Sequence, residues 1–379
     1  MSEGQTMTRT IRQWLPVIAF AIAAVLPAAP VQAQAADHAA AQTLLNQYQS
    51  QAGPGAGLHA GDGTESWTLT SGTATIFANR PITAEDHFRI ASQTKTFTAS
   101  VVLQLVDEGL VDLDAPIEQY LPGLLTGDYD GNAISVRQML QHTSGIARDA
   151  LDAAPGADGT YTLTELVRAG LAQPPQFAPG TGWGYSNVNY FIAGMLIEEL
   201  TGTTVAEAIT ARIIEPLGLT GTSFPVPDNG TLPSPYLPGY SGGRLGPFFY
   251  WFDTTFNQDM SVNTTAGAMT STMEDLVAFY RALAAGSVVS ADALAEMRTA
   301  VPSTAYGADY GLGLMSWDLS CGGQAWGHAG NILTGTSSIT MVTDDGRFAS
   351  LVTNTFIKDP PAPTRVAVLD AALCEGESA

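Results

Sequence analysis

Hydrophobic and polar residues alternate near both ends of the chain and follow a helical spacing in the middle. Alternation over 55–79, interrupted by Gly61-Asp62-Gly63, predicts short antiparallel strands. From Ser92 to about residue 285, hydrophobic residues spaced three and four apart predict amphipathic helices. These helices are expected at 92–108, 135–142, 162–171, 187–200, 204–214 and 272–283, and further strands at 310–318, 324–329, 335–343 and 347–354.

Helices predicted at 37–50 and 363–374 complete a simple architecture. We expect an α/β fold of the α+β type, in which one antiparallel sheet is built from both ends of the chain and flanked by N- and C-terminal helices. The sheet region would comprise 36–91 and 300–379, and a mostly helical region, 92–299, would be inserted between them. A cleft where the two regions meet is the expected place for a functional site.

The first 35 residues have the pattern of a secretory signal peptide. Arg9 and Arg12 precede an apolar run at 14–26, and small residues follow it. A membrane anchor is the alternative, but the run is short for a span of ~20 residues. We therefore expect a secreted or periplasmic protein, in which an oxidising compartment allows Cys321 and Cys374 to form a disulfide.

The net charge of −21 excludes some classes of partner. An acidic chain is repelled by nucleic acid and by anionic membranes, so neither is expected to bind. The sequence contains no H-E-x-x-H, no C-x-x-C and no phosphate-binding loop, so we expect neither a metal nor a cofactor.

The segment 225–263 is rich in proline and aromatic residues, and no regular element is predicted there. The aromatic residues at 248–252 either line a pocket for an apolar group or pack against one another. Residues 239–243 match G-x-S-x-G, but that elbow requires a preceding strand and a following helix. His142 is interpreted as a structural residue at a helix end.

The first chemical signal is Ser92-Gln93-Thr94-Lys95 at the start of an apolar helix, in a chain with only two lysines. Residues three apart share a helix face, so the Lys95 amine can reach the Ser92 hydroxyl. Serine needs a neighbouring base to become a good nucleophile, and a lysine among apolar groups has a lowered pKa. The alternative is a serine cap followed by a solvated lysine.

Two further motifs follow in the order that acylating Ser–Lys enzymes use. Tyr185-Ser186-Asn187 begins a predicted helix, and His328-Ala329-Gly330 ends a predicted strand. Known sets combine S-x-x-K on a helix, a polar motif such as S-D-N and a strand motif such as K-T-G. The three motifs together therefore indicate a serine hydrolase.

With these motifs the sequence resembles the serine β-lactamase and penicillin-binding protein superfamily. Within it, the sequence is similar to class C β-lactamases and to related esterases. It is most similar to secreted D-alanyl-D-alanine carboxypeptidases. The resemblance extends over 40–375 and implies a β-lactamase/transpeptidase-like fold. The carboxypeptidases have their two cysteines where Cys321 and Cys374 lie, which supports the disulfide. Further matching segments lie at 103–109, 121–123, 136–145, 194–198, 310–314 and 318–322.

The resemblance implies a role for each motif residue. Ser92 would be the nucleophile that forms the acyl-enzyme, Lys95 would accept its proton, and Tyr185 would relay a proton to the leaving group. Asn187 would bind the amide of the substrate, and His328 would line the strand side and support Tyr185.

The same strand would bind the substrate. The backbone N–H groups of Ser92 and Asn331 would form the oxyanion hole, with Gly330 beside them. The resemblance implies H-T-G-T at this place, and the chain reads His328-Ala329-Gly330-Asn331. Both threonine hydroxyls are missing, and Met315 stands where the carboxypeptidases have an arginine. A substrate carboxylate would lose charge-assisted hydrogen bonds worth ~1.5–3 kcal/mol each.

These observations predict a secreted serine hydrolase, in the first place a D-alanyl-D-alanine carboxypeptidase-like peptidase. An esterase or a D-amino-acid amidase is the alternative with the same chemistry. A β-lactamase or a non-catalytic binding domain are further alternatives. The expected ligand is a small peptide, amide or ester, with peptidoglycan peptides and β-lactams among the candidates, and we expect a monomer.

Overall fold

An eight-stranded antiparallel sheet, built from both ends of the chain, forms the centre of the computed structural model. The structure describes residue 1 and residues 38–225, 230–245, 248–356 and 362–376. The predicted signal peptide lies outside these residues except for Met1, and the fold below is that of the unit His38–Ala379. In the described part of the chain, no helix is long and apolar enough to cross a membrane.

The elements follow the chain in this order. The first part holds α1 (Ala39–Ala52), β1 (Gly55–Gly61), β2 (Ser66–Gly72), β3 (Phe88–Arg89), α2 (Thr94–Asp107), α3 (Val136–Leu140), α4 (Leu163–Leu171) and α5 (Asn187–Thr201). The middle part holds α6 (Val205–Ile209), α7 (Glu215–Leu217), β4 (Tyr240–Leu245), β5 (Phe248–Asp253), α8 (Thr264–Gly267), β6 (Thr270–Ser271), α9 (Met273–Ala284) and α10 (Ala291–Met297). The last part holds β7 (Val301–Pro302), β8 (Asp309–Tyr310), β9 (Met315–Asp318), β10 (Gln324–Ile332), β11 (Thr336–Thr343), β12 (Phe348–Thr353) and α11 (Arg365–Leu373).

The two ends of the chain meet within the sheet, where β1 lies beside β12. The strand order is β2-β1-β12-β11-β10-β9-β8-β7, and β1 pairs with β12 in the register Leu58↔Leu351. Every residue of β11 and β12 is buried, because helices cover both faces of these strands. On one face α1 and α11 contact the sheet, and on the other α9 packs against β11 and β12. The predicted fold class is therefore confirmed.

Two helices of the inserted region are buried on nearly all sides. Helices α2 and α5 contact each other, and both have buried residues all around the helix, as expected for the centre of a large core. The buried hydroxyls of α2 have partners: Thr96 donates to the carbonyl of Gly313 (2.8 Å) and Thr98 to that of Thr265 (2.8 Å). These bonds fix the start of α2, where the S-x-x-K motif lies.

Two strand predictions fail, and one hairpin forms where no element was predicted. The alternation at 74–77 is not a strand but a turn with an isolated bridge, and its Phe77 is 92% exposed. The single strand expected at 310–318 is divided into β8 and β9, because Gly313 has a φ of +70°. Segment 240–253, where the sequence predicts no element, is the hairpin β4–β5, and Phe248 and Phe252 are exposed on it.

The hairpin also determines the backbone geometry at the G-x-S-x-G match. Ser241 lies within β4, whose antiparallel partner β5 follows at once, so no helix begins after the motif. The strand–turn–helix geometry of a nucleophile elbow is thus not present there.

A disulfide joins Cys321, at the turn between β9 and β10, to Cys374, at the end of α11, as predicted. The sequence separation of 53 residues makes it a long covalent loop. It ties the C-terminal helix to the sheet on which that helix packs. Its effect on stability arises mainly from restricting the unfolded chain.

We expect that replacing both cysteines by alanine lowers the free energy of unfolding by about 3–4 kcal/mol, because the long loop becomes unconstrained. Denaturant unfolding monitored by circular dichroism measures this loss. The native protein treated with reductant should move toward the same midpoint. An unchanged midpoint in the double variant would show that the bridge does not constrain the unfolded chain.

Candidate active site

Ser92 lies in a 3-10 turn, Ala91–Gln93, that leads directly into α2. Its side chain is partly exposed, whereas Gln93 and Lys95 are completely buried. The residue before it, Ala91, has a φ of +51°, a conformation that a non-glycine residue adopts only under strain of about 1–3 kcal/mol. The turn therefore leaves the Ser92 side chain accessible and buries its neighbours.

The Lys95 amine is surrounded by three hydrogen-bonding oxygens. Its Nζ lies 2.7 Å from Oδ1 of Asn187, 2.7 Å from the carbonyl oxygen of Ala266 and 3.3 Å from Oγ of Ser92. A neutral amine has two N–H donors and one lone pair. The two carbonyl oxygens can only accept, so they take the two N–H groups, and the lone pair is left facing the Ser92 hydroxyl.

Burial lowers the pKa of Lys95 well below its ordinary value, and the nearby Arg148 lowers it further. The carboxylate of Asp149 acts in the opposite direction. Because burial shifts the amine toward its neutral form, Lys95 has the properties of a general base for Ser92.

Tyr185 covers this amine from the other side. The centroid of its ring lies 4.8 Å from the Lys95 Nζ, and the Ser92 hydroxyl is near enough to its phenol to lower the pKa of that phenol. Burial outweighs this effect and raises the pKa of the Tyr185 phenol above its ordinary range. The phenol is therefore protonated at neutral pH, which suits it to donate a proton rather than to remove one.

Asn187 is held at both ends of its side chain. It is the first residue of α5, whose N-cap Ser186 accepts from the backbone N–H of Asn189. Its Oδ1 accepts from Lys95, and its Nδ2 donates to Oδ1 of Asp149 at 2.6 Å. The amide expected to bind substrate thus lies within a chain of hydrogen bonds that leads to the base.

His328 is completely buried, and its hydrogen-bond partner is a different tyrosine from the one expected. Its Nε2 accepts from the hydroxyl of Tyr310 at 3.0 Å, and its Nδ1 donates to the carbonyl of Ala329 at 2.6 Å. Burial and the proximity of Lys95 lower the pKa of His328 to about 3, so the ring is neutral. The expected support of Tyr185 is therefore not a direct hydrogen bond.

Gly330 allows β10 to approach the turn that carries Ser92. A Cβ atom at this position would lie 2.1 Å from the carbonyl oxygen of Ile90, too close for any side chain. Next to it, Asn331 donates from Nδ2 to the hydroxyl of Tyr306 (2.8 Å). The Asn331 Oδ1 is buried and has no hydrogen-bond partner among the described residues.

An aromatic cluster not expected from the sequence packs around Tyr185. The ring of His142 lies 4.4 Å from that of Tyr185 and 4.7 Å from that of Tyr310. His142 Nδ1 accepts from the backbone N–H of Ser186, and burial lowers its pKa, so the ring is neutral. The interpretation of His142 as structural fits these contacts, but its position against Tyr185 lay beyond what the sequence indicated.

Two cations, Arg148 and Arg365, lie near the motif residues, and both have partners. Arg148 stacks over the ring of Tyr185 at 5.4 Å and pairs with Asp149 at 3.3 Å. Arg365 is buried and donates to the backbone carbonyls of Gly330 and Ser338. Met315, which stands where the carboxypeptidases have an arginine, is completely buried in the core. Among the described residues, no group of three or more His, Cys, Asp or Glu side chains could hold a metal ion.

Known proteins of similar sequence or structure identify the family of this chain. The Beta-lactamase family model matches residues 34–373. The chain belongs to the beta-lactamase family. A D-stereospecific amidohydrolase from Streptomyces sp. has a similar structure, with 40% identity and a TM-score of 0.74 over 84% of this chain and 94% of that one. The D-amino acid amidase from Ochrobactrum anthropi SV3 is similar at 29% identity and a TM-score of 0.77, over 88% and 97% of the two chains.

Curated relatives of this beta-lactamase-family chain include other hydrolases. Penicillin-binding protein 4 of Amycolatopsis lactamdurans is 30% identical over 322 residues, which are 79% of this chain and 81% of that protein. Esterase EstB of Burkholderia gladioli is 33% identical over 181 residues, 44% of this chain, and the match spans only 46% of that esterase. The resemblance to the superfamily is thus confirmed, and the relatives divide among amidases, an esterase and a penicillin-binding protein.

We expect that Gly330→Ala lowers kcat/KM by about a hundredfold, because the added methyl group must displace the turn that carries Ser92. It should also lower the free energy of unfolding by about 1–3 kcal/mol through overpacking. Gly230→Ala is the matched control, since a Cβ there meets no atom of the described residues within 4 Å. Equal activity of the two variants would contradict the close approach of β10 to the turn.

Proposed function

We propose that the protein hydrolyses amides of D-amino acids through an acyl-enzyme on Ser92. The observation that carries the proposal is the hydrogen-bonding of Lys95, whose Nζ faces Ser92 Oγ while two carbonyl oxygens take its N–H groups. This arrangement provides a base beside the nucleophile. The similarity to two D-specific amide hydrolases supports the substrate class.

In acylation, Ser92 Oγ attacks the substrate carbonyl carbon while its proton passes to Lys95. We assign the oxyanion hole to the backbone N–H groups of Ser92 and Asn331, because β10 approaches the turn at Gly330. When the C–N bond breaks, the leaving nitrogen receives a proton through the Tyr185 phenol, which Lys95 restores. The products of this half-reaction are the ester on Ser92 and free ammonia or amine.

Deacylation uses the same groups with water in place of the amine. Lys95, with Tyr185, removes a proton from water as its oxygen attacks the ester carbon. The Ser92–acyl bond breaks, and Ser92 Oγ regains its proton. The D-amino acid is released, and both side chains return to their starting protonation states.

The loss of the expected carboxylate contacts at three positions separates this proposal from a carboxypeptidase. A carboxypeptidase substrate has a negative charge on its leaving group, which must be met by hydroxyls or a cation. Ala329 and Asn331 provide no hydroxyl, Met315 is buried, and the cations Arg148 and Arg365 are engaged. An uncharged leaving group requires none of these contacts.

A D-alanyl-D-alanine carboxypeptidase-like activity is the second candidate. The relation to penicillin-binding protein 4 of Amycolatopsis lactamdurans over four-fifths of both chains favours it. The predicted signal peptide and the disulfide accord with either activity outside the cytoplasm, and we propose secretion for both.

We expect kcat/KM for D-phenylalanine amide to exceed that for a D-alanyl-D-alanine peptide by at least about tenfold, because the second substrate leaves a carboxylate unpaired. It should exceed that for L-phenylalanine amide by a similar factor. A short-chain p-nitrophenyl ester tests the esterase alternative in the same assay. Faster cleavage of the D-alanyl-D-alanine peptide would overturn the amidase proposal in favour of the carboxypeptidase.

We expect Ser92→Ala to abolish turnover and labelling by a fluorophosphonate, while Ser241→Ala retains both. Ser241 is the matched control because it is the serine of the G-x-S-x-G match. Intact mass spectrometry detects the adduct on each protein. Labelling of the Ser92→Ala protein would exclude Ser92 as the nucleophile.

A further inference from the structure

Asp149 lies at the far end of a chain of hydrogen bonds that begins at the nucleophile. The steps are Ser92 Oγ to Lys95 Nζ (3.3 Å), Lys95 Nζ to Asn187 Oδ1 (2.7 Å), and Asn187 Nδ2 to Asp149 Oδ1 (2.6 Å). Asp149 belongs to the connection between α3 and α4 and to none of the three sequence motifs. Its side chain is 41% exposed, so the core does not require it.

The carboxylate determines which way the Asn187 amide faces. A side-chain amide has an accepting oxygen and a donating nitrogen of nearly the same shape, and only the hydrogen-bond partners distinguish its two orientations. An ionised carboxylate can only accept, so Nδ2 turns toward Asp149 and Oδ1 toward Lys95. In the opposite orientation the amide N–H groups would face the N–H groups of the Lys95 amine.

The backbone reinforces this placement. The backbone N–H of Asn187 donates to the carbonyl of Arg148 at 2.7 Å, which ties the start of α5 to the segment that carries Asp149. Arg148 in turn pairs with the second carboxylate oxygen, with its Nε 3.3 Å from Oδ2. One side of the carboxylate therefore holds the amide, and the other meets a cation.

We propose that Asp149 is a positioning residue that holds the Asn187 amide with its oxygen toward Lys95, and that the Asp149–Arg148 pair tunes the protonation of this base. The inference rests on the proposed Ser92–Lys95 chemistry. No described hydrogen bond joins the Asp149 side chain to Ser92, so it acts through Asn187.

The charges around Lys95 give the two members of the pair opposite effects. The titratable groups that face Lys95 are Tyr185, Tyr190, His142, His328, Arg148 and Asp149. Burial raises the pKa of both phenols and lowers the pKa of both imidazoles, so these four groups are neutral. Asp149 raises the pKa of Lys95, because its carboxylate favours the ammonium form, whereas Arg148 lowers it.

The rate of fluorophosphonate labelling as a function of pH tests the inference without reference to the natural substrate. Labelling requires neutral Lys95, so its acid limb follows the protonation of that amine. We expect Asp149→Asn to shift this limb to lower pH, and Arg148→Gln to shift it to higher pH. In the Asp149→Asn variant the new side-chain oxygen can still accept from Asn187, so the rate at the plateau should fall only slightly.

A variant that loses the hydrogen bond to Asn187 as well as the carboxylate charge separates the effect of the orientation of the amide from the effect of the charge. We expect Asp149→Ala to lower the plateau rate by at least about tenfold, because the Asn187 amide is no longer held. Asp152→Asn is the matched control, since Asp152 is exposed on the same segment and no described contact links it to Asn187. Its profile should coincide with that of wild type, and circular dichroism of each variant verifies folding.

The inference is overturned if the acid limbs of Asp149→Asn, Arg148→Gln and wild type coincide, because a merely structural Asp149 would not move them. It is also overturned if Asp149→Ala keeps the wild-type plateau. Failure of the proposed Ser92–Lys95 chemistry has a different signature, since wild type and every variant would then remain unlabelled at all pH values. Failure of the proposed amide substrate would appear only in the substrate comparison and would leave labelling intact.

Discussion

The burial of the Lys95 amine is the constraint on which the site depends. A charged ammonium without a counter-ion is expensive to bury, and a neutral amine with satisfied N–H groups is not. The structure supplies two carbonyl oxygens for those groups, from Asn187 and Ala266, and leaves the third direction for Ser92. The same burial keeps the Tyr185 phenol protonated, so that an acid and a base lie beside one nucleophile.

Backbone strain is concentrated around this arrangement. Ala91, His142 and Tyr306 all have positive φ values, although none of them is glycine. Ala91 precedes the nucleophile, His142 packs against Tyr185, and Tyr306 holds Asn331. Ala91 and His142 are buried, so the surrounding packing holds these two in place, as expected where packing over-determines a strained site, whereas Tyr306 is 41% exposed. Gly330 is the complementary case, because its missing side chain lets two backbones approach each other.

The sequence predicted the parts of the site that depend on local spacing. Ser92 and Lys95 lie one turn apart, so their proximity follows from the helix itself. The architecture followed from the strand patterns at both ends of the chain. Asp149 could not be predicted, since its contact with Asn187 depends on how a loop folds back on α5. The pairing of His328 with Tyr310 was missed for a related reason: the break at Gly313, which separates β8 from β9, has no signature in the hydrophobic alternation.

The protonation of Lys95 is the most direct test, and the sequence makes it accessible. The chain has only two lysines, Lys95 and Lys358, so a sample labelled with ¹³C at the lysine ε-carbon gives two signals, and Lys358→Arg assigns them. We predict that the Lys95 signal titrates at a pH well below the ordinary lysine value of ~10.4, because burial disfavours the ammonium form. If Lys95 instead titrates at that ordinary value, it is charged at neutral pH and cannot be the base for Ser92.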